Sequence, residues 1–305
     1  MEILKLYPAY KNYIWGGEKL AQRYGKKADF TPVAESWELS FHKDGETRVA
    51  DGRTLAEVLT SADLGTACES FPFFPMLIKF IDAKQNLSVQ VHPDDAYALA
   101  NEQSFGKTEM WYVVEADEGA GLYVGFSRDV SREEYENAIA DGTLCELLNF
   151  YPVQKGDCYF IPAGTIHAIG AGCVICEIQQ NSNLTYRVFD YGRVGADGKP
   201  RELHVAKALA VTNLKKYEKL DPLGGEFGTE VLGSCPYFHV TRQMVRGKWQ
   251  IEADARSFKC ITCVEGVGQI EGQPISRGDS FFIPANFGTA HLSGDMVLVC
   301  AEVPQ

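Results

Sequence analysis

Gly156-Asp-Cys-Tyr-Phe-Ile-Pro-Ala163 and Gly278-Asp-Ser-Phe-Phe-Ile-Pro-Ala285 are two copies of one octapeptide, identical at six of eight positions. In each copy a Gly-Asp turn feeds a short aromatic and β-branched run, which stops at Pro-Ala and is followed within a few residues by a histidine, His167 or His291. Two copies mean two related β units in one chain. Turns, short apolar strands and a return after Pro-Ala predict jelly-roll barrels with paired Greek-key sheets. The expected fold is therefore mainly β, two jelly-roll barrels with a small helical insert. We place the first barrel at 1–220, with the insert around 128–150, and a degenerate second barrel at 221–305, the break falling at Asp221-Pro-Leu-Gly-Gly225.

Upstream of the first copy, Leu87–Asp95 reads LSVQVHPDD. Strand side chains alternate faces, so Ser88, Gln90 and His92 point one way while Val89 and Val91 point the other. A hydroxyl, a carboxamide and an imidazole on one face, ending at Pro93, suit the wall of a site better than an ordinary half-buried strand. The second copy has nothing like LSVQVHP or GKTEM before it, which predicts one site per chain and a structural role for His291.

Other segments fill in the architecture. Residues 71–83 form a dense apolar run, expected as a buried strand, with Lys79 the anomaly: it either snorkels to solvent or reaches a pocket. Glu35–Ser40 alternates acid and bulk like an edge strand. Helices are expected over 53–64, just after Pro93, from a Ser131–Glu134 capping box to about Ala140, around 144–148, and over 201–211. In Gly106–Val114 the strand-like tail puts Lys107 and Glu109 on one face.

Composition narrows the class. The chain has 305 residues, 45% hydrophobic and 23% charged, which fits a globular protein with a large core. A net charge of −12 argues against nucleic acid or an anionic membrane as partner, while leaving room for a small anionic substrate met by a few local cations. The N-terminal stretch lacks the basic start and apolar run of a signal peptide, so a cytoplasmic location is expected. Nine cysteines, an odd number, then read as free thiols. The CxxC pairs Cys173/Cys176 and Cys260/Cys263 sit in strand-like sequence, where positions three apart face opposite ways, unlike a zinc ribbon. The sequon at Asn183 is expected to be accidental.

Gln90, His92, Glu109 and His167 together form a candidate metal site of two imidazoles and two oxygen donors, a set suited to a divalent ion such as Zn2+ with a position left open. QVHPDD, GKTEMWYV, FIPAGTIHAIG and the segment from Cys176 to Tyr191 resemble the type I mannose-6-phosphate isomerases of the cupin superfamily, most closely their short bacterial form. The resemblance runs from Trp15-Gly-Gly17 through the second barrel. It implies one zinc ion on Gln90, His92, Glu109 and His167, and an aldose–ketose isomerisation of mannose 6-phosphate and fructose 6-phosphate through an enediol. It also implies that Arg187 is catalytic, holding an oxyanion or a sugar oxygen, its plain structural alternative being a salt bridge to Asp190. Lys107, as a proton carrier or a phosphate contact, and Glu177, as a base, are the alternatives for proton transfer, and Ser88 and Lys79 are candidates for the phosphate end. The large helical domain of longer members is missing here. Two other readings compete: a non-catalytic sugar-phosphate-binding bicupin, and a cupin dioxygenase. Against the latter stand Gln90 as a further ligand and the cations Lys107 and Arg187, since such enzymes use iron on two histidines and a carboxylate.

Overall fold

The computed structural model describes residues 2–195, 198–222, 224 and 228–304. Two sheets face each other in the first barrel. The six-stranded one runs Ala9–Lys11, Glu35–Leu39, Met76–Ala83, Cys173–Gln180, Glu109–Ala116, Cys158–Ile161. The five-stranded one runs Tyr186–Phe189, Val89–Val91, His167–Ile169, Gly121–Phe126, Leu148–Pro152. A third, seven-stranded sheet forms the second barrel around the long strands Phe238–Ala253, Lys259–Ile270 and Gly288–Glu302. The chain's first strand, Leu4–Lys5, joins that third sheet by pairing with Ser280–Ile283, so strand pairing crosses between the two halves of the sequence.

A shared apolar cluster lies between the barrels, with Phe80, Met110 and Cys176 from the first meeting Phe238, Phe258 and Phe282 from the second. Phe258 and Phe282 stack with ring centroids 4.9 Å apart. Each such buried aromatic contributes about 2–3 kcal/mol through area removed from water. Within this interface Glu38 is fully buried yet satisfied: Lys26 Nζ lies 2.7 Å from Oε1, and Ser36 and Ser280 donate at 2.6 and 2.9 Å. Lys26 also donates to the Gly278 carbonyl at 2.5 Å. Removing one member of a buried pair of this kind costs about 3–5 kcal/mol, because its partner is left charged and alone.

Several expectations are corrected. Glu35–Leu39 is no edge strand; it lies between Ala9–Lys11 and Met76–Ala83 with all five residues buried. Its acids are internal because Glu38 meets Lys26 and Glu35 accepts from Trp37 Nε1 at 2.7 Å. The helix expected over 53–64 is two short ones, Leu55–Val58 and Ser61–Leu64, because Leu59 is extended and Thr60 starts a new capping box with Asp63. The 201–211 helix begins only at Val205, leaving 201–204 outside it and Arg201 paired with Asp190. Ser131 caps Arg132–Asp141 through the Glu134 amide, but the Glu134 carboxylate turns to Arg128 instead of closing the box. Of the expected linker, Leu223 and Gly225 lie outside the described residues, and Gly224 bridges to Val231. The paired cysteines do face apart: Cys176 and Cys260 pack in the shared cluster, Cys173 and Cys263 in the clusters of the first and second barrel. Among the described residues no helix is long and apolar enough to cross a membrane.

Candidate active site

Register builds the site as two facing rows. On the five-stranded sheet Arg187 pairs with Gln90 and Gln90 with His167, one row across three strands. Ser88 and His92 flank Gln90 on the same face, while Val89 and Val91 pack fully buried on the other. On the six-stranded sheet the row is Trp37, Lys79, Glu177, Trp111 and Tyr159, each opposite the next. Glu109 precedes Trp111 by two residues and so shares its face. Trp111 closes the space between sheets with its ring edge on His167, centroids 5.2 Å apart.

Between the rows His92, Glu109 and His167 converge, with their ligand atoms all within 4.8 Å of one another. The protein prepares both imidazoles alike. Nδ1 of His92 donates to the Leu184 carbonyl at 2.7 Å and Nδ1 of His167 to the Thr165 carbonyl at 2.8 Å. Each Nε2 therefore carries a lone pair toward Glu109, 3.6 Å from Oε2 for His92 and 3.2 Å from Oε1 for His167. Neither oxygen of Glu109 accepts a well-directed hydrogen bond although the residue is fully buried. Gln90 Nε2 donates toward His167 Nε2 at 3.4 Å, which places its carboxamide beside the cluster with the amide nitrogen, not the ligating oxygen, turned to it. Two neutral imidazoles and a buried carboxylate, with no hydrogen bond on its Oε1 and the Lys107 ammonium 3.0 Å from its Oε2, fit a divalent cation.

Electrostatics agree. Burial pushes the Glu109 carboxyl up to about 7, with the negative Glu177 adding to it and the Lys107 ammonium working against both. Burial lowers His167 to about 4 and, helped by the Lys107 charge, holds His92 well below the ordinary imidazole range. Glu177 behaves oppositely: burial pushes it up, but Lys79 at 3.0 Å and Lys107 at 3.9 Å outweigh that and keep it ionised. Trp111 Nε1 donates to its other oxygen at 2.8 Å.

A cavity of about 290 Å³ opens from this floor, lined by Lys79, Lys107, Glu177, Gln90, Ser88 and Arg187 among others. All nine residues singled out from the sequence thus lie together, six on the cavity wall and the remaining three in the His–Glu cluster. Lys79 reaches the pocket instead of snorkelling, held by Glu177 and, at 3.8 Å, Glu35. Lys107 Nζ lies 3.0 Å from Glu109 Oε2 and 3.2 Å from His92 Nε2. Arg187 donates to Ser88 Oγ at 3.2 Å and to the Glu202 carbonyl at 3.0 Å, while Asp190 is taken by Arg193 and Arg201. Arg201, Glu35 and Tyr13, which line the cavity, and Trp111, which bonds Glu177, are neighbours of the site that sequence reading missed. Period two placed Trp111 on the face of Glu109 and was signal enough; nothing local marked Arg201.

Two jelly-roll barrels, one holding a buried His-Glu-His cluster under a charged cavity, define a bicupin with a single metal-type centre among the described residues. Residues 3–119 match the family Phosphomannose isomerase type I, catalytic domain, and residues 229–303 match Mannose-6-phosphate isomerase, cupin domain. The chain is 35% identical to the mannose-6-phosphate isomerase of Streptococcus mutans, over 95% of this chain and 94% of that one. It is also 35% identical to a mannose-6-phosphate isomerase of Bacillus subtilis, covering 96% of each. The crystal structure of the mannose 6-phosphate isomerase from Bacillus subtilis superposes with a TM-score of 0.91 at 32% identity, over 99% of both chains. The chain belongs to the type I phosphomannose isomerase family.

Proposed function

We propose that this chain interconverts mannose 6-phosphate and fructose 6-phosphate, with one Zn2+ held by Gln90, His92, Glu109 and His167. The observation that carries this reading is the convergence of two Nε2 lone pairs and a buried carboxylate directly behind Gln90 and Lys107, which line a cavity walled by cations and an ionised glutamate. When bound, zinc supplies a Lewis acid or a template for the sugar oxygens.

The reaction moves a proton from C2 to C1 through an enediol, so the protein must accept that proton, return it, and stabilise charge on oxygen. Glu177, ionised and aimed at the cavity, accepts and returns it. Lys107, 3.9 Å away, stabilises the oxygen charge and relays protons with it. Arg187 keeps its charge at any working pH; with Ser88 fixing Nε, its guanidinium holds the enediolate oxygen. Ser88 and Lys79 bind substrate, and we place the phosphate near Ser88, where Arg187 and Arg201 also line the cavity. Nine free thiols suit a reducing compartment, and we assign the cytoplasm on that ground.

A coupled assay on mannose 6-phosphate, with and without chelator, tests the reading. Turnover that survives verified removal of metal would sink the zinc assignment. An inactive protein that still binds the sugar phosphate would instead favour the non-catalytic bicupin.

A further inference from the structure

The second barrel has no metal-type cluster among its described residues, yet one of its side chains is hydrogen-bonded into the first barrel behind the site. Tyr237 lies in the turn between Thr229–Cys235 and Phe238–Ala253, and its hydroxyl donates to Asp95 Oδ2. Asp95 is the first residue of the helix Asp95–Asn101, which starts three residues after His92. Its other oxygen accepts from the Gly106 amide at 2.8 Å and from Gln180 Nε2 at 2.9 Å. Gln180 in turn takes the Thr108 amide at 2.8 Å, and the Lys107 amide goes to the Pro93 carbonyl at 3.0 Å. Three consecutive amides, at Gly106, Lys107 and Thr108, are thus fixed, two of them through Asp95 directly or at one remove. The approach is close: a Cβ on Gly106 would sit 2.5 Å from the Asp94 carbonyl carbon and 2.6 Å from the Asp95 nitrogen, so only glycine fits.

We infer that Tyr237 of the second barrel and Asp95 are positioning residues for Lys107. They pin the Gly106–Thr108 loop to the start of the helix Asp95–Asn101 and so hold Lys107 Nζ between His92 Nε2, Glu109 and Glu177. Neither touches the cavity. Their effect travels through the loop backbone, and an ammonium displaced by a fraction of an ångström loses its alignment with the reacting atoms. This gives the second barrel a part in turnover as well as in packing. The inference rests on the isomerase reading above.

Tyr237→Phe removes one hydroxyl from a half-buried ring packed on Phe71, so the variant keeps its fold. We expect its kcat on mannose 6-phosphate to fall on the order of tenfold, the usual effect of losing an outer hydrogen bond, with KM, bound zinc and Tm close to wild type. Asp95→Ala should fall further and Asp95→Asn, which keeps an acceptor for Gly106, should recover part of the loss. In the Lys107→Met background Tyr237→Phe should cost nothing more, because the residue it positions is gone. Equal losses in both backgrounds, or a lowered Tm with kcat intact, would overturn the inference and leave Tyr237 a packing residue. Wild type without isomerase activity would overturn the functional reading and this inference with it; active wild type matched by Tyr237→Phe would overturn the inference alone.

Discussion

In both barrels a histidine after the repeated octapeptide is paired in register with a glutamine, His167 with Gln90 and His291 with Gln250. The pairs differ in the side of the sheet they occupy. In the first barrel His167 is 1% exposed and, with Gln90, faces the interior, while Ala168 packs on the opposite side. In the second barrel Ile251, Ala290 and Leu292 fill the interior, so Gln250 and His291 stand on the outer face. There the His291 side chain pairs with Glu271, at 2.9 Å. Because side chains alternate with period two, facing alone decides whether the same residue pair becomes a ligand set or a surface feature. The octapeptides diverge in a related way. Cys158 approaches the Leu232 carbonyl of the other barrel at 3.8 Å, and Ser280, its counterpart, reaches Glu38.

That contrast can be broken at several points. His167→Ala should release the metal and lower kcat/KM on the order of a thousandfold or more, since a ligand and the charge stabilisation it supports are lost together; full activity with unchanged zinc content would end the distinction between the barrels. Arg187→Ala should retain metal while kcat falls about a hundredfold, the effect of losing one donor to a developing oxyanion; steady-state kinetics beside metal analysis would show it. Trp111→Phe deletes the N–H bound to Glu177 and should lower kcat about tenfold. The metal-free protein should also be acid-sensitive through its interior histidines. His167 titrates near 4 when folded against about 6.5 when unfolded, so the unfolded chain binds the extra proton first. The His167 contribution to stability is full above pH 6.5 and is lost as pH drops through 4, while Glu109, raised to about 7 when folded, works in the opposite sense below pH 7, so denaturant unfolding should show a smaller net loss than His167 alone would give. The smallest effect belongs to His291→Ala, within about twofold of wild type in turnover, as for an exposed substitution.

The clustering of the site residues and the barrel count were readable because both rest on local signals: period-two faces around Gln90 and His92, and a repeated turn–strand–turn. What stayed hidden depends on neighbours distant in sequence. Nothing around Glu35 announces that Ala9–Lys11 will cover its strand and make an apparent edge internal. Arg201 looks like the first turn of a helix until Asp190 is seen to accept its guanidinium. Lys79 had two readings of similar weight, and the register that set Glu177 opposite it decided between them.

The pairing of Leu4–Lys5 with Ser280–Ile283 also governs the order of events during synthesis. The first strand leaves the ribosome long before its partner exists, and Glu38 and Lys26 must wait equally long for Ser280 and Gly278. Contacts of such sequence separation close slowly. A nascent chain halted before residue 278 should therefore hold a nearly complete ligand pocket beside an unfinished sheet edge, so the last stretch translated is the one that seals the molecule.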